Sequence, residues 1–176
     1  MDLYEITDDY IKYLQQFDKR VLSNHFVKHN RKYLGLGIEL SGHMYYIPLS
    51  SPDSMDFDSN GNPRRTIIPI YRIYGNNGRL LGKLLLNNMI PVPMSELTKY
   101  DITKEQDFKY KKLILSEIRA LSKNGVIDRI IKNAQLLYKQ KQSGMNIGYL
   151  AATVDFANLE KEKIKYNTKI LRDKGR

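Results

Sequence analysis

The chain contains no cysteine, which excludes disulfides and thiolate chemistry and fits a cytoplasmic location. It has only three histidines, His25, His29 and His43, too few to build a His/Cys metal cluster. No stretch approaches the roughly 18–20 apolar residues of a membrane span. The acidic start Met1-Asp2-Leu3-Tyr4-Glu5 lacks the basic and then apolar order of a signal peptide. Familiar catalytic templates are missing too: there is no Walker A loop, GxGxxG fingerprint, HExxH or paired CxxC. A Ser-His-Asp triad can be written with Ser50 or Ser51, a histidine and Asp53, but no GxSxG elbow supports it. The sequence therefore predicts no membrane partner, no metal and no cofactor.

Positive charge is what the chain does have. Its 176 residues carry 29 Lys+Arg against 19 Asp+Glu, a formal net charge of +10, with a pI near 9.6. Such an excess points to a polyanionic partner, because each phosphate neutralised by Lys or Arg releases condensed counterions. Thirteen tyrosines and five phenylalanines add rings on which unstacked bases can lie, although most belong to the core. Nucleic acid leads.

Hydrophobic periodicity divides the chain near residue 103. Leu3–Ile6 reads as a short strand, Thr7 as a helix N-cap, and residues 8–18 as an amphipathic helix with Asp8 and Asp9 in its first turn. Residues 19–32 have no clean period and hold His25, Lys28, His29, Arg31 and Lys32, a basic loop suited to phosphate or to plain solvent contact. Tyr33–Leu40 and His43–Leu49 alternate as a β-hairpin around Ser41-Gly42. Gly35 and Gly37 open one face of its first strand to a bend or a close approach. Residues 53–65 form a polar loop with Arg64 and Arg65 as further phosphate contacts; its Asp53, Asp56 and Asp58 lack the spacing of a calcium loop. Thr66–Tyr74 and Arg79–Leu86 are a second strand pair, and Leu97–Ile102 a last short strand. Helices follow from about 110 to near Asn124-Gly125, from 127 to near Gly144, and from Asp155 onward. Lys132, Lys139, Lys161 and Lys165 lie on the last two as a basic wall or as solvated faces. The expectation is one α+β domain over residues 1–176: a strongly bent antiparallel β-rich core to about residue 103, carrying a short N-terminal helix, then a helical extension over about 104–176.

The stretch Tyr46-Ile47-Pro48-Leu49-Ser50-Ser51-Pro52-Asp53 ends the hairpin. Its two hydroxyls either close an ST-turn with nearby backbone or stand free at a rim. Chain reversal at Ser41-Gly42 brings Arg31-Lys32 and Ser50-Ser51 to the same end of two paired strands. A cation beside a hydroxyl can hold a phosphate and stabilise the charge of a phosphorane. RNA supplies its own nucleophile in the 2′-OH, so cleavage needs only in-line geometry, a proton acceptor, a proton donor and that cation.

The run Tyr33-Leu34-Gly35-Leu36-Gly37-Ile38-Glu39-Leu40 and the block Gly42-His43-Met44-Tyr45-Tyr46-Ile47-Pro48-Leu49-Ser50-Ser51-Pro52 resemble the ToxN/AbiQ toxins of type III toxin–antitoxin systems, with the CptN branch nearest. Tyr10-Ile11-Lys12-Tyr13-Leu14 and Leu86-Asn87-Asn88-Met89-Ile90-Pro91-Val92-Pro93 match as well. The resemblance implies a metal-independent endoribonuclease that leaves a 2′,3′-cyclic phosphate, on a barrel-like core of Kid/MazF type. It also implies a pseudoknotted antitoxin RNA, cut by the toxin from its precursor and assembled with it into a ring or heterotetramer, and a role in abortive infection against phage. By position, Ser51 matches the family's active-site serine and Ser50 the hydroxyl before it. Arg31 stands where a lysine is expected, with Lys32 beside it. Asp53 occupies the place of a second lysine, and the tyrosine expected shortly before the cation has no clear match, which leaves His29 or His25 for such roles. Tyr33 joins Lys28, His25, Arg64, Arg65 and the four helical lysines as expected RNA contacts. A non-catalytic RNA-binding module, or a MazF-type toxin held by a protein antitoxin, are the alternatives.

Overall fold

Alternation and turn chemistry produce the central hairpin, and they produce its one irregularity as well. In the computed structural model, which describes residues 1–25 and 29–174 with side chains through Thr168, β2 (Tyr33–Leu40) and β3 (His43–Ser50) pair antiparallel. Ser41 (φ 48) and Gly42 (φ 76) both take positive φ, the mirror-image two-residue turn whose twist suits a hairpin. The register shifts between Gly35 and Ile38, where Gly37 at φ +68 makes a bulge. The two extra residues keep Leu34, Ile38 and Leu40 on one face, and ahead of the bulge Tyr33 and Leu34 are both buried. At Gly35 a Cβ would lie 2.6 Å from the Tyr4 ring, so the close approach foreseen there is that of Tyr4, which meets Tyr46 edge to face.

The other strands extend this hairpin on both sides. On one side lie β1 (Asp2–Ile6) and β7 (Leu97–Lys99); on the other β3 pairs first with β6 (Ile90–Pro91) and then with β5 (Leu80–Leu85), which pairs with β4 (Ile70–Tyr74). The order is β4-β5-β3-β2-β1-β7 with β6 off the path, an open antiparallel sheet. Pro48 sits in the middle of β3 without a donor, a position ordinarily confined to edges. The Leu49 amide bonds across to Lys32 O at 2.9 Å, so alternation turns the Pro48 nitrogen to the opposite side, where β6 has ended and β5 has yet to begin. The missing hydrogen bond falls at that change of partner. β4 is shorter than the expected Thr66–Tyr74, because residues 66–69 lead in as a turn closed by Ile67 and Ile70.

Four helices, α1 (Asp8–Gln15), α2 (Phe108–Leu121), α3 (Val126–Gln142) and α4 (Phe156–Lys174), complete the fold. The first is shorter than expected. Thr7 holds the N-cap position without a cap bond, because its hydroxyl donates to Glu96 instead. Tyr10, Ile11 and Leu14 of α1, Ile114 and Leu121 of α2, Ile130 and Leu137 of α3 and Phe156 of α4 join the strand residues in one buried cluster. Fully burying each such side chain stabilises by about 1.5–3 kcal/mol. Glu160 of α4 accepts hydrogen bonds from Tyr45 at 2.7 Å and Tyr138 at 2.8 Å, tying the helices to the hairpin. No described helix is long and apolar enough to cross a membrane.

Candidate active site

Asp107 caps α2 by accepting from the Lys109 and Tyr110 amides, each at 3.0 Å. This cap fixes the helix over the end of β3, where there is a half-open cavity of about 140 Å³. One wall is the segment entering β2, with His29, Asn30, Arg31 and Lys32; another is Leu49-Ser50-Ser51; α2 contributes Tyr110, Leu113, Ile114 and Glu117. The five residues singled out on sequence, Ser50, Ser51, Arg31, Lys32 and His29, thus come together.

Their surroundings differ. Among the described residues neither the Ser50 nor the Ser51 hydroxyl makes a hydrogen bond, so the ST-turn alternative is not what the chain adopts. Arg31 is nearly buried, its Nε donating to Ser23 O at 3.0 Å and its NH1 to Leu49 O at 3.2 Å. Burial pulls its pKa below the usual arginine value. Lys32 is also buried, and its ammonium donates to Glu5 Oε1 at 2.6 Å and Asn30 O at 2.9 Å while lying 4.5 Å from the Tyr100 ring centre. That commitment makes Arg31 and Lys32 unequal partners for a phosphate. His29 stacks on Tyr110, ring centres 4.0 Å apart and 6° from parallel, with Nε2 3.4 Å from Asp107.

The loop after Ser51 explains the unexpected aspartate. Asp53 caps the short turn Ser54–Asp56, and its Oδ2 takes Lys83 Nζ at 2.7 Å. Lys83 also donates to Asp56 at 2.6 Å, and Arg72 Nε reaches Asp56 at 2.9 Å. Burial raises the Asp56 pKa, but Lys83, the Asp53 amide and Arg72 outweigh it and hold the carboxyl below the usual range. Lys83 lies directly across from Ser50 in the ladder. A lysine is therefore present beside this stretch, supplied by β5 and paired with two carboxylates.

Several expected RNA contacts are placed elsewhere. Tyr33 is corrected outright: its ring is 1% exposed and its hydroxyl donates to Asn24 at 3.1 Å, so no face remains for a base. His25 is exposed beside Asp8 at 3.0 Å, and Lys28 lies outside the described residues. Arg64 and Arg65 are exposed on the polar loop. Lys132, Lys139, Lys161 and Lys165 are exposed on α3 and α4, away from the cavity, and Lys165 is held by Glu162 at 2.6 Å. Sequence reasoning missed the cations nearest the serines. A groove from Ser51 and Pro52 carries Arg79, Lys109 and Lys112, and it continues past Arg119 and Lys123. All five cations are exposed, and among the described residues none has a carboxylate within ion-pair distance. Three of them, Lys109, Lys112 and Arg119, share α2 at spacings that set them along one side; Lys123 lies just past its C-terminal end, and Arg79 follows the β4–β5 turn.

Glu117 was missed as well. It is 3% exposed, and its Oε2 has no hydrogen-bond partner. Its other oxygen presses against β5, where a Cβ at Gly82 would lie 2.1 Å away. Burial pushes its pKa up to about 8. The available signal was a carboxylate on the apolar stripe of a helix, seven residues after Tyr110 and three after Ile114. Among the described residues no three His, Asp or Glu side chains converge as metal ligands.

An α+β scaffold with free hydroxyls and buried cations at a strand end, opening on a cationic groove, defines a site for handling phosphodiesters. The chain belongs to the ToxN family: the family described as Toxin ToxN, type III toxin-antitoxin system, matches residues 2–164. It is 30% identical to Endoribonuclease ToxN of Bacillus thuringiensis subsp. kurstaki over 93% of this chain and 82% of that protein. It is 29% identical to Endoribonuclease AbiQ of Lactococcus lactis subsp. lactis, over 94% of this chain and 89% of the relative. A solved structure described in terms of selective toxin inhibition by a non-coding RNA pseudoknot superposes with a TM-score of 0.80 at 29% identity, covering 94% of this chain and 97% of that one.

Proposed function

We propose that this member of the ToxN endoribonuclease family cleaves RNA at the β3 end by attack of the 2′-OH, without a metal, leaving a 2′,3′-cyclic phosphate. The observation that carries this reading is the cavity where unbonded Ser50 and Ser51 hydroxyls meet Arg31. The hydroxyls hold the nonbridging oxygens of the scissile phosphate, and the Arg31 guanidinium stabilises the phosphorane. His29, braced by Tyr110 and Asp107, accepts the 2′-OH proton. The groove of Arg79, Lys109, Lys112, Arg119 and Lys123 guides the strand by its phosphates. Lys32, neutralised by Glu5, shapes the cavity wall rather than binding phosphate.

The whole chain acts as one toxin unit in the cytoplasm, on a bent core of Kid/MazF type. Its inhibitor is a pseudoknotted RNA that it processes and with which it closes into a ring or heterotetramer, and its release aborts phage infection. A similar solved structure, described in terms of selective toxin inhibition by a non-coding RNA pseudoknot, supports the partner, and the basic surface supports the chemistry. Pure protein incubated with RNA in EDTA is expected to yield fragments ending in 2′,3′-cyclic phosphate. RNA left intact under those conditions, but cut once a divalent metal is added, would contradict the reading.

A further inference from the structure

We propose that Glu117 is the proton donor to the 5′-oxygen leaving group in the cleavage step, an assignment that rests on the function proposed above. The carboxyl lines the same cavity as Ser50, Ser51, Arg31 and His29. It is almost wholly buried, it forms no ion pair among the described residues, and one of its oxygens has no partner at all. Residues this buried are rarely left unsatisfied without a chemical reason. The fold makes room for it deliberately: α2 directs it at β5, and only glycine at position 82 leaves space for its Oε1.

Such a group cannot remain an anion. A buried carboxylate with neither cation nor donor is far costlier than the neutral acid. The charged and titratable groups around it leave the acid form undisturbed. On the cavity wall, Lys32 is bound to Glu5, Arg31 donates to the Ser23 and Leu49 carbonyls, and His29 faces Asp107. On its own helix Tyr110 is a neutral phenol whose pKa burial raises. On the strands beneath, Tyr71 pairs with Leu84 on the face of Gly82, while Lys83 and Arg72 turn to Asp56 on the opposite face. Burial alone pushes the Glu117 pKa up to about 8, so near neutral pH the cavity contains a carboxylic acid with a proton to give.

The balance of the step then closes. The 2′-oxygen forms its bond to phosphorus as His29 takes the 2′ proton, and the bond from phosphorus to the 5′-oxygen breaks with its electron pair on that oxygen. Glu117 delivers its proton there and becomes a carboxylate. Proton exchange with water restores both residues. Glu117 enters the step as the acid and His29 as the base.

The test compares wild type with Glu117→Gln on two RNAs, one with the natural 5′-oxygen and one with a 5′-bridging sulfur, a leaving group that needs no proton. On the oxygen substrate Glu117→Gln should be slower by about 10²–10³-fold and lose the fall in rate that wild type shows above pH 8. On the sulfur substrate it should come within a few-fold of wild type. Gly82→Ala, whose methyl would lie 2.1 Å from the present position of Glu117 Oε1 and so displaces the carboxyl without removing it, should reproduce the same split. Equal slowing of both substrates, or an unchanged rate and pH profile, would overturn the assignment. Wild-type protein that cuts neither RNA overturns the function itself, a result distinct from a Glu117→Gln variant that cuts both normally.

Discussion

Neighbouring residues of β5 face two opposite ways of burying charge. On one side Lys83 reaches Asp53 and Asp56, and Arg72 completes a network in which the buried carboxylate has a cationic partner on each oxygen. On the other side Gly82 receives the carboxyl of Glu117, which has no cation among the described residues. Both clusters adjoin the end of β3. The paired side fixes the loop after Ser51; the unpaired side faces the serine cavity. What distinguishes them is the direction in which burial is resolved, by pairing in one case and by protonation in the other.

The largest effect in this comparison comes from breaking the paired side. Asp56→Ala leaves buried Arg72 without its carboxylate and Lys83 with Asp53 alone, and should cost roughly 3–5 kcal/mol, lowering Tm by about 6–20 °C. Thermal melts followed by circular dichroism check this, and a Tm within a degree of wild type would show that the network carries no stability. Glu117→Gln should do the reverse at neutral and alkaline pH, in keeping with a site that trades stability for activity.

Opposite pH dependences sharpen the contrast. The Asp56 pKa is depressed in the folded chain, so its contribution is present above its ordinary 3.8 and is lost as pH falls through the lowered value. The Glu117 pKa is raised, so its contribution is full below 4.5 and is lost as pH rises to about 8. Urea melts of wild type should lose on the order of 3–5 kcal/mol from this group between pH 5 and 9, relative to Glu117→Gln measured in parallel. Parallel curves for the two proteins would mean that Glu117 ionises normally.

The smallest change lies outside both clusters. Lys112→Ala in the groove should leave Tm unchanged and weaken RNA binding, with the slope of log affinity against log salt shallower by about 1. Binding titrations at several salt concentrations measure it. The same substitution at Lys139 on α3 should leave the slope unaltered.

These contrasts also mark how far the sequence could be read. The hairpin, its Ser41-Gly42 turn and the meeting of Arg31-Lys32 with Ser50-Ser51 follow from alternation and antiparallel pairing, which are local rules. The bulge at Gly37 was not visible, because two extra residues between Gly35 and Ile38 leave the alternation of Leu34, Ile38 and Leu40 intact, and neither was the burial of Tyr33, whose hydroxyl is taken up by Asn24 from the preceding segment. The groove and Glu117 depend on where α2 lies over the β4–β5 pair, a long-range placement that periodicity does not encode. Lysines on α3 and α4 looked as good as those on α2 for the same reason. Asp53 looked like the loss of a cation; only the register of Ser50 against Lys83 shows a lysine supplied from another strand.

The central claim is that the free hydroxyls at the end of β3 hold the scissile phosphate. Single-turnover cleavage by Ser51→Ala, with RNA binding and Tm measured on the same preparation, tests it most directly. A rate lower by about 10²-fold or more, with RNA affinity and Tm preserved, is the expected result. Cleavage at the wild-type rate would contradict it.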